Sequence, residues 1–195
     1  GRQRSIWAAF GDPVGPATVA ESLAWEFFDE ARRANCQPVF YEVGTDNLPL
    51  WIEMGMSLHK VGEEAIISLA DFSLSGSKFK TMRAAYNKKQ RQGLDVEVVL
   101  PPHSPDLIAE LKTVSDAWLN GKAGREKGFS VGRFDAAYLD RCPIAVVREN
   151  GRAMAFANIL VAAGGARVAV DLMRYLPEKA SGIMEFLFLS LIEHY

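Results

Sequence analysis

Residues 77–93 read SKFKTMRAAYNKKQRQG, and this stretch separates two halves of the chain that each carry an α/β pattern. It has six basic residues and no acidic one, although the 195 residues together carry a formal net charge of -2. On a helical wheel, four basic residues share one face: Lys80, Arg83, Lys88 and Arg91. A second face is apolar, with Phe79, Met82 and Tyr86. The stretch predicts one helix between Gly76 and Gly93.

The four basic residues on one face form a basic ridge, which the acidic net charge of the chain does not explain. A compact positive stripe attracts anionic phosphates, and these are supplied by tRNA or by lipid headgroups. A solvated surface helix would show the same charge pattern. Charge alone therefore leaves a binding role and a plain surface role open.

The composition indicates a globular chain. Hydrophobic residues make up 49% and charged residues 24%, which is unlike a disordered protein. No apolar run reaches the ~18–20 residues that span a bilayer, and the richest, residues 183–192, contains Glu185. Residues 1–4 do not resemble a signal peptide, and Cys36 and Cys142 lie far apart. We therefore expect a cytoplasmic chain with at most peripheral membrane contact, and neither a disulfide framework nor a zinc site.

Two runs of strands and helices flank the basic stretch. The first run comprises a strand at 6–10, a helix at 18–35, a strand at 39–43, a short helix at 48–54, and strand-like segments at 57–60 and 65–69. The second comprises a strand at 96–100, a helix at 107–120, a short helix capped by Asp135, a hairpin of 144–147 with 153–162, a strand at 167–173 and a helix at 182–194. This order predicts an α/β (α+β) fold with modules at 1–74 and 94–195, joined by a connecting helix at 75–93.

Asp171 and Arg174 stand out because they end the apolar strand 168–170. Ionised groups beside a core are costly unless they are paired or used. Residues three apart on a straight strand point to opposite faces, so the two converge only if the strand bulges or ends near Leu172. A carboxylate and a guanidinium together can deprotonate a hydroxyl or hold a phosphate. A simple salt bridge is the alternative.

Familiar catalytic motifs are absent from the sequence: GxxxxGK[ST], GxGxxG after a strand, GxSxG and HExxH. Two charged clusters remain as candidates. Residues 60–65, KVGEEA, place two acids at a predicted strand entrance, and residues 125–130, REKGFS, lie in a loop able to close over a cleft. Charges in turns and loops are usually only solvated, so neither cluster decides a function by itself.

Seven segments carry a resemblance that covers nearly the whole chain: FGDPVG at 10–15, PVFYEV at 38–43, KVGEEA at 60–65, FSLSG at 72–76, EKGFS at 126–130, VDLMR at 170–174 and GIMEFLF at 182–188. In this order they resemble the cytosolic catalytic domain of the bacterial aminoacyl-phosphatidylglycerol synthases, also known as the multiple peptide resistance factor or phosphatidylglycerol lysyltransferase family. No single segment is diagnostic, but the ordered set is specific.

The resemblance implies tandem GNAT-type acyltransferase folds, with mixed sheets flanked by helices and joined by a basic helix. It implies transfer of a lysyl or alanyl group from aminoacyl-tRNA to a hydroxyl of phosphatidylglycerol, which reduces the negative charge of the membrane and confers resistance to antimicrobial peptides. The acetyl-CoA loop of GNAT enzymes, Q/R-x-x-G-x-G/A, is not found, because Arg174 is followed by YLPEKAS. This departure favours an aminoacyl-tRNA donor.

The resemblance also assigns roles to residues. Asp171 would orient or deprotonate the acceptor hydroxyl, and Arg174 would hold a lipid or tRNA phosphate. The amino acid and the headgroup would be bound by Lys60, Glu64, Glu126 and Lys127. The tRNA acceptor stem, or anionic lipid, would be bound by Lys80, Arg83, Lys88 and Arg91. An aminoacyl ester is already activated, so neither a metal nor another cofactor is expected.

The expected partners are aminoacyl-tRNA, phosphatidylglycerol and a membrane-spanning region of the full-length protein, at the cytoplasmic face of the bacterial inner membrane. The family's second module normally continues beyond the apolar helix, so we expect the second half of one fold and the first half of the next. Sheet edges exposed in this way predict a homodimer. Two alternatives remain: a Fem-type transferase acting on a peptidoglycan precursor, and a non-catalytic module that binds tRNA or anionic membrane.

Overall fold

A computed structural model describes residues 5–122, 126, 128–179 and 181–195, and it divides the chain into a first unit ending at Ala65 and a second beginning at Ile66. The first unit contains β1 (Ile6–Phe10), α1 (Ala17–Arg33), β2 (Gln37–Tyr41) and α2 (Leu48–Glu53). The two strands pair in parallel, with Ile6 opposite Gln37, and α1 makes the crossover that parallel strands require.

A small core holds the first unit together. Trp51 is buried with Ala24 and Met54, and the ring centroids of Phe40 and Trp51 lie 4.4 Å apart. Asp12 joins the loops that follow β1 and β2, because its carboxylate accepts from the Gly44 backbone N–H at 2.6 Å and from the Asn47 side-chain amide at 2.9 Å.

The second unit contains α3 (Lys80–Arg91), β3 (Leu94–Val99), α4 (Pro105–Asn120), α5 (Ala136–Leu139), β4 (Ile144–Glu149), β5 (Arg152–Val161), β6 (Val168–Tyr175) and α6 (Ile183–His194). Its four strands form an antiparallel sheet in the order β3-β4-β5-β6. Consecutive residues from Ile144 to Val147 are fully buried, so both faces of the sheet are covered. Helix α4 packs against β5 and β6, and α6 packs against β4 and β5.

The predicted α/β class, with sheets flanked by helices, is confirmed; the strands are parallel in the first sheet and antiparallel in the second, rather than mixed within one sheet. The strands expected at 57–60 and 65–69 are wrong, because residues 56–68 contain neither helix nor strand. Val61 and Ile66 are exposed there, and apolar β-branched residues favour a strand only where a neighbouring strand covers and pairs with them. No described helix has both the length and the apolar composition needed to cross a membrane.

The basic stretch forms α3 as predicted, and this helix contacts α6 and β3 of the second unit. Its inner face is built on Tyr86, whose ring lies 5.0 Å from that of Phe186 and whose hydroxyl donates to Glu193 at 2.8 Å. Met82, expected on the same apolar face, is 43% exposed. The expectation that residues 1–74 and 94–195 belong to two GNAT modules stays a prediction.

Helix α4 begins with a side-chain cap that offers a stability test. Ser104 Oγ accepts from the Leu107 backbone N–H at 3.2 Å, and this satisfies one of the free donors of the first turn. We expect Ser104→Ala to lower the free energy of unfolding by about 1 kcal/mol in denaturant titrations. Thr113→Ala is the control in the same helix, because the Thr113 hydroxyl bonds only the Ala109 carbonyl one turn earlier. Equal stabilities for the two variants would contradict the capping role.

Candidate active site

The candidate site is built on an irregularity of strand β6. Val170 pairs with Ile159 and Met173 pairs with Ala157, so Asp171 and Leu172 together face the single residue Asn158. Two residues against one is a β-bulge. The bulge therefore lies near Leu172, where the sequence predicts an irregularity if Asp171 and Arg174 are to converge.

Asp171 is held by donors to both of its carboxylate oxygens. Oδ1 accepts from the Gly132 backbone N–H at 2.8 Å, and Oδ2 accepts from the Tyr138 hydroxyl at 2.6 Å. Each oxygen of a carboxylate has a second lone pair, so acceptor capacity remains at both. The side chain is half-buried, and the arrangement is that of an oriented base or hydrogen-bond acceptor.

Gly132 approaches Asp171 too closely to carry a side chain. A Cβ placed on Gly132 would lie 3.0 Å from Asp171 Cγ, closer still to Oδ2, and 3.2 Å from Tyr138 Cε1. Glycine is therefore required here by the close approach of its backbone to the carboxylate.

Tyr138 connects Asp171 to the buried Asn158. Its hydroxyl accepts from Asn158 Nδ2 at 3.0 Å while donating to Asp171. Burial, followed by the hydrogen bond to Asp171, raises the pKa of Tyr138 to about 12. The phenol consequently stays protonated, and able to donate, throughout the neutral pH range.

Arg174 lies in a different set of contacts. It is 8% exposed, its Cζ atom lies 4.1 Å above the Trp118 ring, and Nη2 donates to Glu126 Oε1 at 2.8 Å. The same Glu126 oxygen accepts from the Phe134 backbone N–H at 3.0 Å. Stacking and a charge-assisted hydrogen bond fix the plane of the guanidinium. Its Nε and the Trp118 Nε1 are buried without a partner among the described residues.

Asp171 and Arg174 therefore both contact residues of the loop that contains Glu126 and Gly132. Gly132 binds the carboxylate, and Glu126 joins Arg174 to Phe134. Within the described part of the chain, no hydrogen bond or ion pair links Asp171 directly to Arg174. The alternative of a plain salt bridge between the two is thus not observed.

The other residues predicted to bind the amino acid and the headgroup make fewer contacts that the structure describes. Lys60 and Glu64 lie in the first unit, where Lys60 pairs with Glu63 at 2.5 Å and both lysine and glutamate side chains of that pair are exposed. Glu64 is exposed and has no hydrogen-bond partner among the residues described. Lys127 lies outside the described residues. Within the described part of the second unit, the predicted binding residue Glu126 contacts Arg174.

The basic ridge is mostly open to solvent. Lys80, Lys88 and Arg91 are exposed, while Arg83 is half-buried. The Arg83 guanidinium donates to the backbone carbonyls of Leu74 and Gly76, so it holds the segment that leads into α3. The side chains of Lys80, Lys88 and Arg91 make no such contact with backbone carbonyls in the described structure.

Sequence reasoning missed Gly132, Tyr138, Asn158 and Trp118. A signal existed for Asn158, the one amide in the apolar run AMAFANIL of residues 153–160. The other three come from elements distant in sequence, and no local pattern marks them. No cluster of three or more His, Cys, Asp or Glu side chains suited to a metal ion occurs in the described ranges.

The fold and the site define an α/β protein with an oriented carboxylate at a sheet bulge beside a stacked arginine. Residues 1–195 match the sequence profile of the family described as phosphatidylglycerol lysyltransferase, C-terminal. The chain therefore belongs to this family, and the resemblance drawn from its ordered segments is confirmed.

Individual relatives agree. The chain is 37% identical over 183 residues to a phosphatidylglycerol lysyltransferase of Staphylococcus epidermidis, covering 93% of the chain and 22% of the relative. For the Bacillus subtilis protein of the same name, identity is 37% over 182 residues, with 93% and 21% covered. The chain thus spans about a fifth of the length of these curated relatives.

Two solved structures are similar throughout. L-PGS from Bacillus licheniformis gives a TM-score of 0.88 at 37% identity, covering 96% of this chain and 57% of that one. The C-terminal domain of a protein named as a lysylphosphatidylglycerol synthetase, from Agrobacterium fabrum, gives 0.91 at 38% identity, covering 100% and 61%. These neighbours agree with the GNAT-type architecture that the resemblance implies.

The close approach at Gly132 yields a second prediction. We expect Gly132→Ala to lower the free energy of unfolding by about 1–3 kcal/mol, because the added methyl group must displace the Asp171 carboxylate or the loop. Gly128→Ala is the matched control in the same loop, since among the described residues the one atom within 4 Å of a Cβ there is Arg133 Cδ, at 3.7 Å. Denaturant titration of both variants measures the difference, and equal stability would show that the loop yields without cost.

Proposed function

We propose that the protein containing this chain transfers a lysyl or alanyl group from aminoacyl-tRNA to a hydroxyl of phosphatidylglycerol, and thereby lowers the negative charge of the membrane. Family membership supports the class of reaction. The observation that carries the proposal for this chain is the Asp171 carboxylate, held by the Gly132 N–H and the Tyr138 hydroxyl with acceptor capacity to spare. Such a reaction takes place where tRNA meets lipid, at the cytoplasmic face of the bacterial inner membrane.

The chemistry required is modest. The acceptor hydroxyl loses its proton as its oxygen attacks the ester carbonyl of the aminoacyl group. The bond from that carbonyl to the ribose oxygen then breaks, and the ribose oxygen takes up a proton. One ester replaces another, so positioning, proton transfer and stabilisation of the oxyanion suffice. In this scheme Asp171 orients or deprotonates the acceptor hydroxyl.

Arg174 is proposed to bind a lipid or tRNA phosphate. Its Nη1 and Nη2 donate to the Met173 carbonyl and to Glu126, while Nε has no partner among the described residues. A phosphate at this position would add to, or replace, the Glu126 contact. Binding of the amino acid and the headgroup is assigned to Glu126 and Lys127, together with Lys60 and Glu64 of the first unit.

The basic ridge is proposed to bind the acceptor stem of tRNA or anionic lipid. Lys80, Lys88 and Arg91 support this role by their exposure. Arg83 contributes less freely, because its guanidinium already binds backbone carbonyls. Each phosphate contact releases counterions, so binding through the ridge depends steeply on salt.

Salt dependence provides the test of the ridge. We expect Lys88→Gln to reduce the slope of log K against log salt for tRNA binding by about 0.7–0.9, the value for one lost phosphate contact. Lys112→Gln removes a lysine that is likewise exposed and helical but paired with Asp116 at 2.6 Å, and it should leave the slope unchanged. If both variants keep the full slope, the ridge does not contact the tRNA backbone. Repeating the titration with vesicles containing phosphatidylglycerol then tests the lipid alternative.

The reaction itself is tested with the full-length protein, phosphatidylglycerol micelles, and lysyl- or alanyl-tRNA charged with radiolabelled amino acid. Label in the organic phase identifies both the reaction and the amino acid. We expect Asp171→Asn to reduce transfer by roughly 100-fold or more, since general base catalysis contributes about 10²–10⁴-fold, and to leave tRNA binding intact. Asp95→Asn, at an exposed position of β3, is the control.

The same assay separates the alternatives when a peptidoglycan precursor is supplied together with the micelles. Label in a peptidoglycan precursor rather than in lipid would favour a Fem-type transferase. Intact tRNA binding with no labelled product from either tRNA would favour a non-catalytic binding module.

A further inference from the structure

Asn158 is fully buried in strand β5, and the proposed transfer makes no direct use of it. Both ends of its amide are engaged. Oδ1 accepts from the Leu172 backbone N–H at 2.7 Å, and Nδ2 donates to the Tyr138 hydroxyl oxygen at 3.0 Å, with Cys142 Sγ at 3.5 Å. A buried amide satisfied at both ends has one orientation available to it.

This orientation determines where the Tyr138 proton goes. The Leu172 N–H can only donate, so the carbonyl end of the Asn158 amide must face it and the NH₂ end must face Tyr138. A tyrosine hydroxyl has a single proton. Because its oxygen receives a hydrogen bond from Asn158, that proton is directed to Asp171 Oδ2, 2.6 Å away.

We propose that Asn158 and Tyr138 are positioning residues for the transfer reaction and that they act through Asp171. The hydrogen bonds run in one direction, from the Leu172 N–H at the bulge through Asn158 and Tyr138 to the Asp171 carboxylate, and we call this chain the relay. The proposal rests on the proposed function, and it adds two residues that act without touching the substrate. The Gly132 N–H and the Tyr138 hydroxyl bind different oxygens, and together they fix the plane of the carboxylate. The remaining lone pairs then point in a constant direction toward the acceptor hydroxyl.

Ionisable groups of several described elements lie around Asp171 and Asn158. Tyr138 of α5 contacts both residues, and the Cys142 thiol lies 3.5 Å from Asn158 Nδ2. Glu126 is in the loop that also carries Gly132, and Arg174 is on β6 itself. The Tyr138 hydroxyl is the one side-chain donor to Asp171 among them. Its removal takes this donor from the carboxylate and takes the oxygen acceptor from Asn158 Nδ2, which keeps Cys142 Sγ at 3.5 Å.

The test compares two tyrosines whose hydroxyls each donate to a carboxylate. Tyr138→Phe removes a hydroxyl that donates to Asp171, and Tyr86→Phe removes one of α3 that donates to Glu193 of α6 at 2.8 Å. For Tyr138→Phe we expect kcat to fall about 10- to 100-fold with the KM for phosphatidylglycerol nearly unchanged, as for a misplaced catalytic group. Tyr86→Phe should change neither.

Asn158→Asp tests the direction of the relay. Its second oxygen takes the place of the donating NH₂ group, so the Tyr138 proton has two acceptors instead of one. We expect a loss of kcat comparable to that of Tyr138→Phe. The double variant should lose little more than either single one, because both substitutions act through the same hydrogen bond. Multiplicative losses would show that Asn158 only supports the fold.

A measurement independent of turnover separates this relay from the reaction it serves. The carboxyl carbon of Asp171 is observed by carbon-13 NMR at one neutral pH, in the wild-type protein and in both tyrosine variants. A chemical shift that changes in Tyr138→Phe alone supports the relay even if no lipid product forms, in which case only the proposed function fails. An active wild-type protein with the same carboxyl chemical shift and the same kcat in all three overturns the relay and leaves the proposed function standing.

Discussion

The extra residue of β6 opposite Asn158 is the constraint on which the site depends. In a regular antiparallel ladder an N–H that faces the neighbouring strand meets a carbonyl there, and the bulge removes that partner from the Leu172 N–H. The Asn158 side chain supplies the missing acceptor at 2.7 Å inside a fully buried environment, where an unpaired N–H would be costly. One amide therefore completes the hydrogen bonding at the bulge and contacts the Tyr138 hydroxyl that binds Asp171.

The fold follows from sequence wherever a segment satisfies itself locally. The hairpin between β4 and β5 turns at Asn150 and Gly151, both at positive φ, as the Asn-Gly pair predicts. The Asp135 cap of α5 also forms, with its carboxylate accepting from the Tyr138 N–H at 3.0 Å. The failed strands at 57–60 and 65–69 differ because a strand needs a neighbour to complete its hydrogen bonds, and periodicity does not report whether one is present.

The sequence predicts the charged residues of the site but not the residues that bind them. Asp171 and Arg174 attract notice because charges are expensive at the end of an apolar strand, and that cost is visible in the sequence. Their partners are not visible there. Gly132 and Tyr138 reach Asp171 from 39 and 33 residues away, and Trp118 and Glu126 reach Arg174 from other elements. A glycine chosen for the room it leaves beside a carboxylate has no local signature.

Glu126 connects its loop to Arg174 of strand β6. A single oxygen, Oε1, accepts both from the Phe134 N–H within the loop and from Arg174 on the sheet. An anion that competes for the Arg174 guanidinium must therefore weaken the hydrogen bond between Arg174 and Glu126. By linkage, a change that strengthens this hydrogen bond must weaken the binding of the anion by the same factor. The Glu126 contact and the binding of such an anion at Arg174 would therefore be thermodynamically coupled.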